Sequence, residues 1–201
     1  MAFGFKQMNK IYITGCAKTG TTLIRRLFNA FDLKVYNAGE VHLQKFVTHK
    51  CHSDHVVGKR AFASVFSSDM PKDEIEKQLD LIKKHGVRIV HVTRNKKDVL
   101  KSKTGSIDGE RHVSEERYNA VVEMAKKYSD HITIEIAYED VLADPDKVQK
   151  RLERKLGIKS IYKWSDFPDW FDPSEEPTGD NWDHPGYSVR KIGESYQDPK
   201  A

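Results

Sequence analysis

Cysteine is almost missing from this chain: 201 residues hold two, Cys16 and Cys51. A single pair excludes a disulfide framework, so the fold must rest on its core. Long apolar runs are missing too. Nothing approaches the roughly 18 apolar residues that cross a bilayer. The stretch from Met1 to Lys10 has no apolar h-region, so no signal peptide is expected there. Basic clusters with interleaved aromatics are absent, and the isoelectric point of 8.9 is modest, so nucleic acid is not an expected partner. These absences point to a soluble, cytoplasmic protein without a membrane span. Apolar residues make up 38% of the chain and charged residues 32%, against about 25% charged in an average domain. The core is therefore lean and the surface heavily charged. The net charge of only +4 and the periodic placing of the apolar residues argue against disorder. The length suits one domain with its own core.

The charge is unevenly spread. Trp164 to Ser188 contains seven acidic residues and no Lys or Arg, so +11 remains for the rest. All three tryptophans and four of the seven prolines fall in the same segment. We read one domain over 1–201. Its basic α/β body covers 1–163, and an acidic, Trp- and Pro-rich segment, 164–201, packs on it. A basic body suits an anionic ligand.

Strand and helix signals alternate along the body. Lys10–Thr14 is short, β-branched and followed by Gly15, the pattern of a buried strand. Thr21 to Phe31 carries Leu23, Leu27 and Phe31 four apart, as one face of a helix does. Leu33–Tyr36 reads as a second strand and His55–Gly58 as a possible third. Pro71–His85 is a helix with a stripe of Ile75, Leu79 and Ile82, closed by Gly86. Val87–Thr93 is the strongest strand signal. Ser114–Tyr128 is helical, and His131–Ile136 is a further strand. Asp144 and Pro145 open a helix that runs to Leu156 and ends at Gly157. Strands separated by helices imply an α/β fold with a mostly parallel sheet flanked by helices. Such sheets bind ligands beyond the carboxyl ends of their strands.

The first of those ends carries Gly15-Cys16-Ala17-Lys18-Thr19-Gly20-Thr21-Thr22. Glycines permit a tight turn, and backbone N–H groups leading into a helix attract an anion. The spacing of Gly15 and Gly20 fits the nucleotide-triphosphatase pattern G-x-x-x-x-G-K-[ST], but Thr21 stands where that pattern demands Lys. The loop's lysine is Lys18, placed before the second glycine. The strongest strand ends in Thr93-Arg94, and arginine suits bidentate phosphate binding. A triphosphatase would want an acidic residue there to hold Mg²⁺.

Ala-Lys-Thr-Gly-Thr-Thr-Leu resembles the K-[ST]-G-T-T loop of sulfotransferases that use 3′-phosphoadenosine 5′-phosphosulfate (PAPS). Arg94-Asn95-Lys96-Lys97-Asp98-Val99-Leu100-Lys101-Ser102 is similar to that family's R-[ND]-P-x-D-x-x-x-S segment, with Lys96 in place of the proline. Tyr138-Glu139-Asp140-Val141-Leu142 resembles its Y-E-D-L segment, and Arg190-Lys191 more loosely its late R-K-G segment. The likeness covers about residues 10–157. It implies a P-loop-containing nucleotide-binding fold and in-line sulfuryl transfer from PAPS, with 3′-phosphoadenosine 5′-phosphate (PAP) as product and no metal. Lys18, Thr19, Gly20, Thr21 and Thr22 would hold the 5′-phosphosulfate. Arg94 and Ser102, with Arg190 and Lys191, would hold the 3′-phosphate. The acceptor would be a small molecule or carbohydrate with a hydroxyl or amine. The chain is short for the family, which implies few acceptor-binding insertions.

Transfer needs a base for the acceptor's proton, and Glu and His are the usual types. Asn37-Ala38-Gly39-Glu40-Val41-His42 resembles a G-E segment of the bacterial and carbohydrate-directed branches. Glu40 therefore ranks first and His42 second, ahead of His55 and Lys59. Lys18 would stabilise charge on the leaving phosphate. His49, Cys51, His52 and His55 are packed more tightly than usual zinc-ligand spacings, so a metal site is not expected. Cys16 reads as a small packed residue. Two other classes fit parts of the pattern: a P-loop nucleotide kinase or triphosphatase, and a non-catalytic module that binds PAP or PAPS.

Overall fold

The computed structural model describes residues 10–36, 40–48, 56–60, 71–102 and 113–166. The first strand, β1 (Ile11–Gly15), is buried along its whole length, as its nearly continuous apolar run requires of a strand covered on both faces. It pairs in parallel with β2 (Val57–Arg60) on one side and β3 (Arg88–Thr93) on the other. β3 in turn pairs in parallel with β4 (Ile132–Ala137), with an irregularity between Ile89 and Val90. The order β2-β1-β3-β4 gives a four-stranded parallel sheet, as the alternation of strands and helices implied. All four carboxyl ends therefore lie along one edge.

Helices cover both faces. Ile11, Ile13, Val90, Val92, Ile134 and Ile136 point into the larger core. There they meet α1 (Thr21–Leu27) and α7 (Pro145–Leu156). Tyr12 and Ile89, on the opposite face, pack with Leu43 and Phe46 of α2 (Leu43–Thr48) and Ile82 of α3 (Lys72–Lys84). A small third cluster joins Cys16 and Ala17 to Val99 of α4 (Lys96–Lys101) and Val121 of α5 (Glu115–Lys127). A short α6 (Tyr138–Ala143) links β4 to α7.

Several expectations need adjusting. The helix expected from Thr21 to Phe31 is α-helical only to Leu27; Phe28–Ala30 tighten into a 3₁₀ turn. Phe31 is extended and bridges Ser160. Leu33–Tyr36 is not a full strand. It makes one parallel bridge, Val35 to Val57, supported by the N–H of Tyr36 donating to the Val57 carbonyl. The possible third strand falls two residues later than read, on Val57–Arg60.

The α7 region shows how local chemistry fixes an element. The Asp144 carboxylate accepts from the Lys147 N–H, Pro145 occupies the first turn, and Gly157 ends the helix at φ 59°. Gln149 is buried on α7. Its amide donates to the Tyr162 carbonyl at 2.7 Å and accepts from the Trp164 N–H at 3.0 Å. Trp164 is itself fully buried. Its indole N–H donates to the Leu27 carbonyl at 3.0 Å, and its ring lies edge-on to Phe31. The first tryptophan of the acidic segment is thus part of the body's core.

Candidate functional site

The β1–α1 loop turns sharply at the ligand edge. The Thr19 hydroxyl donates to the Cys16 carbonyl at 2.7 Å, and the Thr19 N–H reaches the same oxygen. Lys18 adopts φ 70° and Gly20 φ 90°. A left-handed lysine is uncommon, and the pairing of bent residues is of the kind that aims successive N–H groups into one concavity. Gly15 passes so close to the Val92 carbonyl that a Cβ would collide with it. Gly20 meets the ring of Tyr138 in the same way. Here only glycine both takes the angle and clears the ring.

Arg94 follows β3 directly and comes to the same place. Its guanidinium donates to the Lys18 carbonyl at 3.2 Å and lies 4.5 Å over the Tyr138 ring. The Tyr118 hydroxyl donates to the Arg94 carbonyl at 3.0 Å. The Asn95 side chain caps α4 by accepting from the Lys97 N–H. The Asn95 N–H donates to the Glu139 carboxylate at 2.8 Å. Tyr138 and Glu139 thus tie the third motif to the other two. An acidic side chain does reach the tip of β3, but from α6, and it is bound to the backbone.

Lys59, near the end of β2, reaches the same loop. It is buried, yet its ammonium donates to the Thr22 hydroxyl at 2.8 Å and sits 3.3 Å from the Glu40 carboxylate. A buried ammonium needs such partners. Glu40 is placed by its neighbour: the Val41 N–H donates to the Lys59 carbonyl, and the Val41 carbonyl accepts from the Tyr12 hydroxyl at 2.6 Å. The one signal in the sequence was a lysine near the end of a possible strand.

Lys18, Thr19, Gly20, Thr21, Thr22, Arg94, Glu40 and Lys59 thus gather at the carboxyl ends of β1, β2 and β3. Ser102 does not touch Arg94 in any described contact. It closes the far end of α4, where its N–H bonds the carbonyls of Asp98 and Val99. His42 is exposed and its Nδ1 contacts the Arg60 guanidinium. Cys16 is buried, and burial pushes its thiol pKa up, which fits a packed rather than reactive residue. His49, Cys51, His52, His55, Arg190 and Lys191 lie outside the described residues. Among the described residues no group of His, Cys, Asp or Glu has metal-site geometry, and no helix is long and apolar enough to cross a membrane.

The parallel sheet flanked by helices is also found among solved structures. One solved structure with this fold is mouse sulfotransferase SULT7A1 complexed with PAP, at TM-score 0.50 and 16% identity. The match covers 76% of this chain and 60% of that one, so the chain spans less than two thirds of its neighbour's length. No protein-family model and no curated protein matches the sequence.

Proposed function

We propose that the protein is a sulfotransferase that moves a sulfuryl group from PAPS to a hydroxyl or amine. The observation that carries this reading is the Arg94 guanidinium, held on the Tyr138 ring and against the carbonyl of Lys18. That contact joins the two segments that would hold the two phosphate ends of one nucleotide. When bound, PAPS supplies an activated sulfuryl group on a phosphate leaving group.

The chain's residues divide the work. Lys18, in the loop itself, and Lys59, bonded to Thr22, supply two cations. Preorganised cations stabilise charge that develops on a departing oxygen. The Thr19 to Thr22 stretch orients the phosphosulfate, and Arg94 faces the 3′-phosphate. Ser102 meets that phosphate only across the ligand, from the end of α4. The acceptor oxygen or nitrogen attacks sulfur as the bond from sulfur to the bridging oxygen breaks. The acceptor's proton passes to Glu40, which already lies beside Lys59. His42 is the second candidate, although its Nδ1 is engaged by Arg60. No step calls on a metal.

The test is turnover. Purified protein is incubated with PAPS and a panel of hydroxyl- and amine-bearing acceptors, and products are read by mass spectrometry. Acceptor molecules gaining one sulfuryl group, with loss of turnover in Lys18→Ala, support the proposal. Tight PAP binding without transfer across the panel would make the chain a binding module. Mg²⁺-dependent ATP turnover would make it a kinase or triphosphatase.

A further inference from the structure

The ladder between β3 and β4 ends at the pair Thr93 and Ala137. Arg94 and Tyr138 follow directly, so the register sets them side by side, and the Arg94 guanidinium lies over the Tyr138 ring. Past the ladder the backbone has lost its strand partners, and its polar groups need others. The peptide joining Arg94 to Asn95 finds them on two helices. Its carbonyl accepts from the Tyr118 hydroxyl of α5 at 3.0 Å. Its N–H donates to the Glu139 carboxylate of α6 at 2.8 Å. The C=O and N–H of a planar trans peptide point in opposite directions, so the two side chains grip one peptide from both sides. Neither bond adds much stability. The Glu139 contact is exposed, where water replaces a lost partner at small net cost. Burial pushes the Tyr118 pKa up, so its hydroxyl remains a donor. What the two bonds fix is direction. β3 fixes the peptide before Arg94 and the two side chains fix the peptide after it, so its Cα–Cβ bond keeps one aim. The same peptide leads into α4, capped by Asn95 and closed by Ser102.

We infer that Tyr118 and Glu139 are positioning residues for Arg94, a two-sided clamp that aims its guanidinium at the 3′-phosphate of the nucleotide. The inference rests on the nucleotide reading proposed above. Neither side chain acts on the phosphate itself. Tyr138 holds the guanidinium, while Tyr118 and Glu139 hold the backbone that carries it. Paired N–H bonds from arginine to a phosphate depend on angle as well as distance. A donor already aimed loses less freedom when the ligand arrives. The ion pair of Lys96 with Glu115 adds a further tie between α4 and α5, but both partners are solvent-accessible and such pairs are worth little.

The experiment compares binding of PAP and of adenosine 5′-phosphate to the full chain by calorimetric titration. The two nucleotides differ only in the 3′-phosphate, so the ratio of their affinities reports that group alone. Tyr118→Phe keeps the ring and removes the hydroxyl. Glu139→Ala removes the acceptor, whereas Glu139→Gln keeps an acceptor oxygen. Tyr118→Phe and Glu139→Ala should each lower PAP affinity about five- to tenfold and leave adenosine 5′-phosphate affinity unchanged. Glu139→Gln should keep the ratio. Neither loss should appear on top of Arg94→Ala, because the clamp acts only through that side chain. A second readout needs no ligand. The order parameter of the Arg94 Nε–H, from nuclear relaxation, should fall in Tyr118→Phe and Glu139→Ala and hold in Glu139→Gln. If the unaltered chain prefers PAP and the variants keep that preference, the inference is overturned. Equal loss of both nucleotides, or a loss that adds to that of Arg94→Ala, overturns it too. An unaltered chain that binds PAP no more tightly than adenosine 5′-phosphate would instead sink the nucleotide reading, and the Nε–H order parameter then decides whether Tyr118 and Glu139 hold Arg94.

Discussion

Gly20 and Lys59 are the two residues at which the site is most easily tested one side chain at a time. A Cβ at Gly20 must enter the Tyr138 ring and hold φ 90°. The left-handed angle alone costs roughly 1–2 kcal/mol for a residue with a side chain. Gly20→Ala is therefore expected to lower the thermal midpoint and loosen the loop, read by differential scanning calorimetry with and without PAP. An unchanged midpoint would mean the ring and loop do not touch. Lys59→Met keeps bulk but removes the donor to Thr22 and the partner of Glu40. We expect a modest loss of stability, about 1–3 kcal/mol, and a much larger loss of PAP affinity by calorimetric titration. Equal affinity in the variant would remove Lys59 from the site. Glu153 gives a pH signature. The Ser160 hydroxyl, then the Ser160 N–H, hold its carboxyl below the usual range, and burial opposes them. A depressed carboxyl stabilises the fold above its unfolded value near pH 4.3 and loses that contribution as pH falls through the folded value. Urea midpoints between pH 6 and pH 3 should therefore drop less in Glu153→Gln than in the unaltered chain.

At the scale of elements, α7 and the turn that carries Trp164 are the most exposed to mutation. Asp144→Ala removes the cap on the Lys147 N–H and is expected to cost about 1 kcal/mol in urea unfolding. Trp164→Ala empties a fully buried site between α1 and α7 and should cost about 3–5 kcal/mol. A loss under 1 kcal/mol would place Trp164 outside the core. The same elements show what a sequence can reveal. β3 and α7 were legible because five β-branched or apolar positions between Val87 and Thr93, or a cap, a Pro and a Gly, all agree locally. α6 was not legible, since six residues are too few for a helical period to stand out. The Leu33–Tyr36 ladder fell short for a tertiary reason: its pairing depends on Val57, more than twenty residues away. The contacts of Lys59 with Thr22 and Glu40 were hidden for the same kind of reason, because only the sheet brings those residues near.

For the whole molecule, the parallel order β2-β1-β3-β4 does the assembling. It sets three strand ends side by side, so residues 18, 59 and 94 become neighbours of one loop. Lys18 and Arg94 were legible from their segments. Their meeting over Tyr138 was not, since it needs α6 to fold back on Gly20. The central claim is that this cluster binds a 3′-phosphorylated adenine nucleotide. The most direct measurement compares thermal stabilisation by PAP with that by ATP and Mg²⁺, for the unaltered chain and for Arg94→Ala. Ligand at a hundred times its dissociation constant stabilises by about 2.7 kcal/mol. The account predicts a clear upward shift with PAP that Arg94→Ala abolishes. Stabilisation by ATP with Mg²⁺ alone, or a PAP shift indifferent to Arg94, would contradict it.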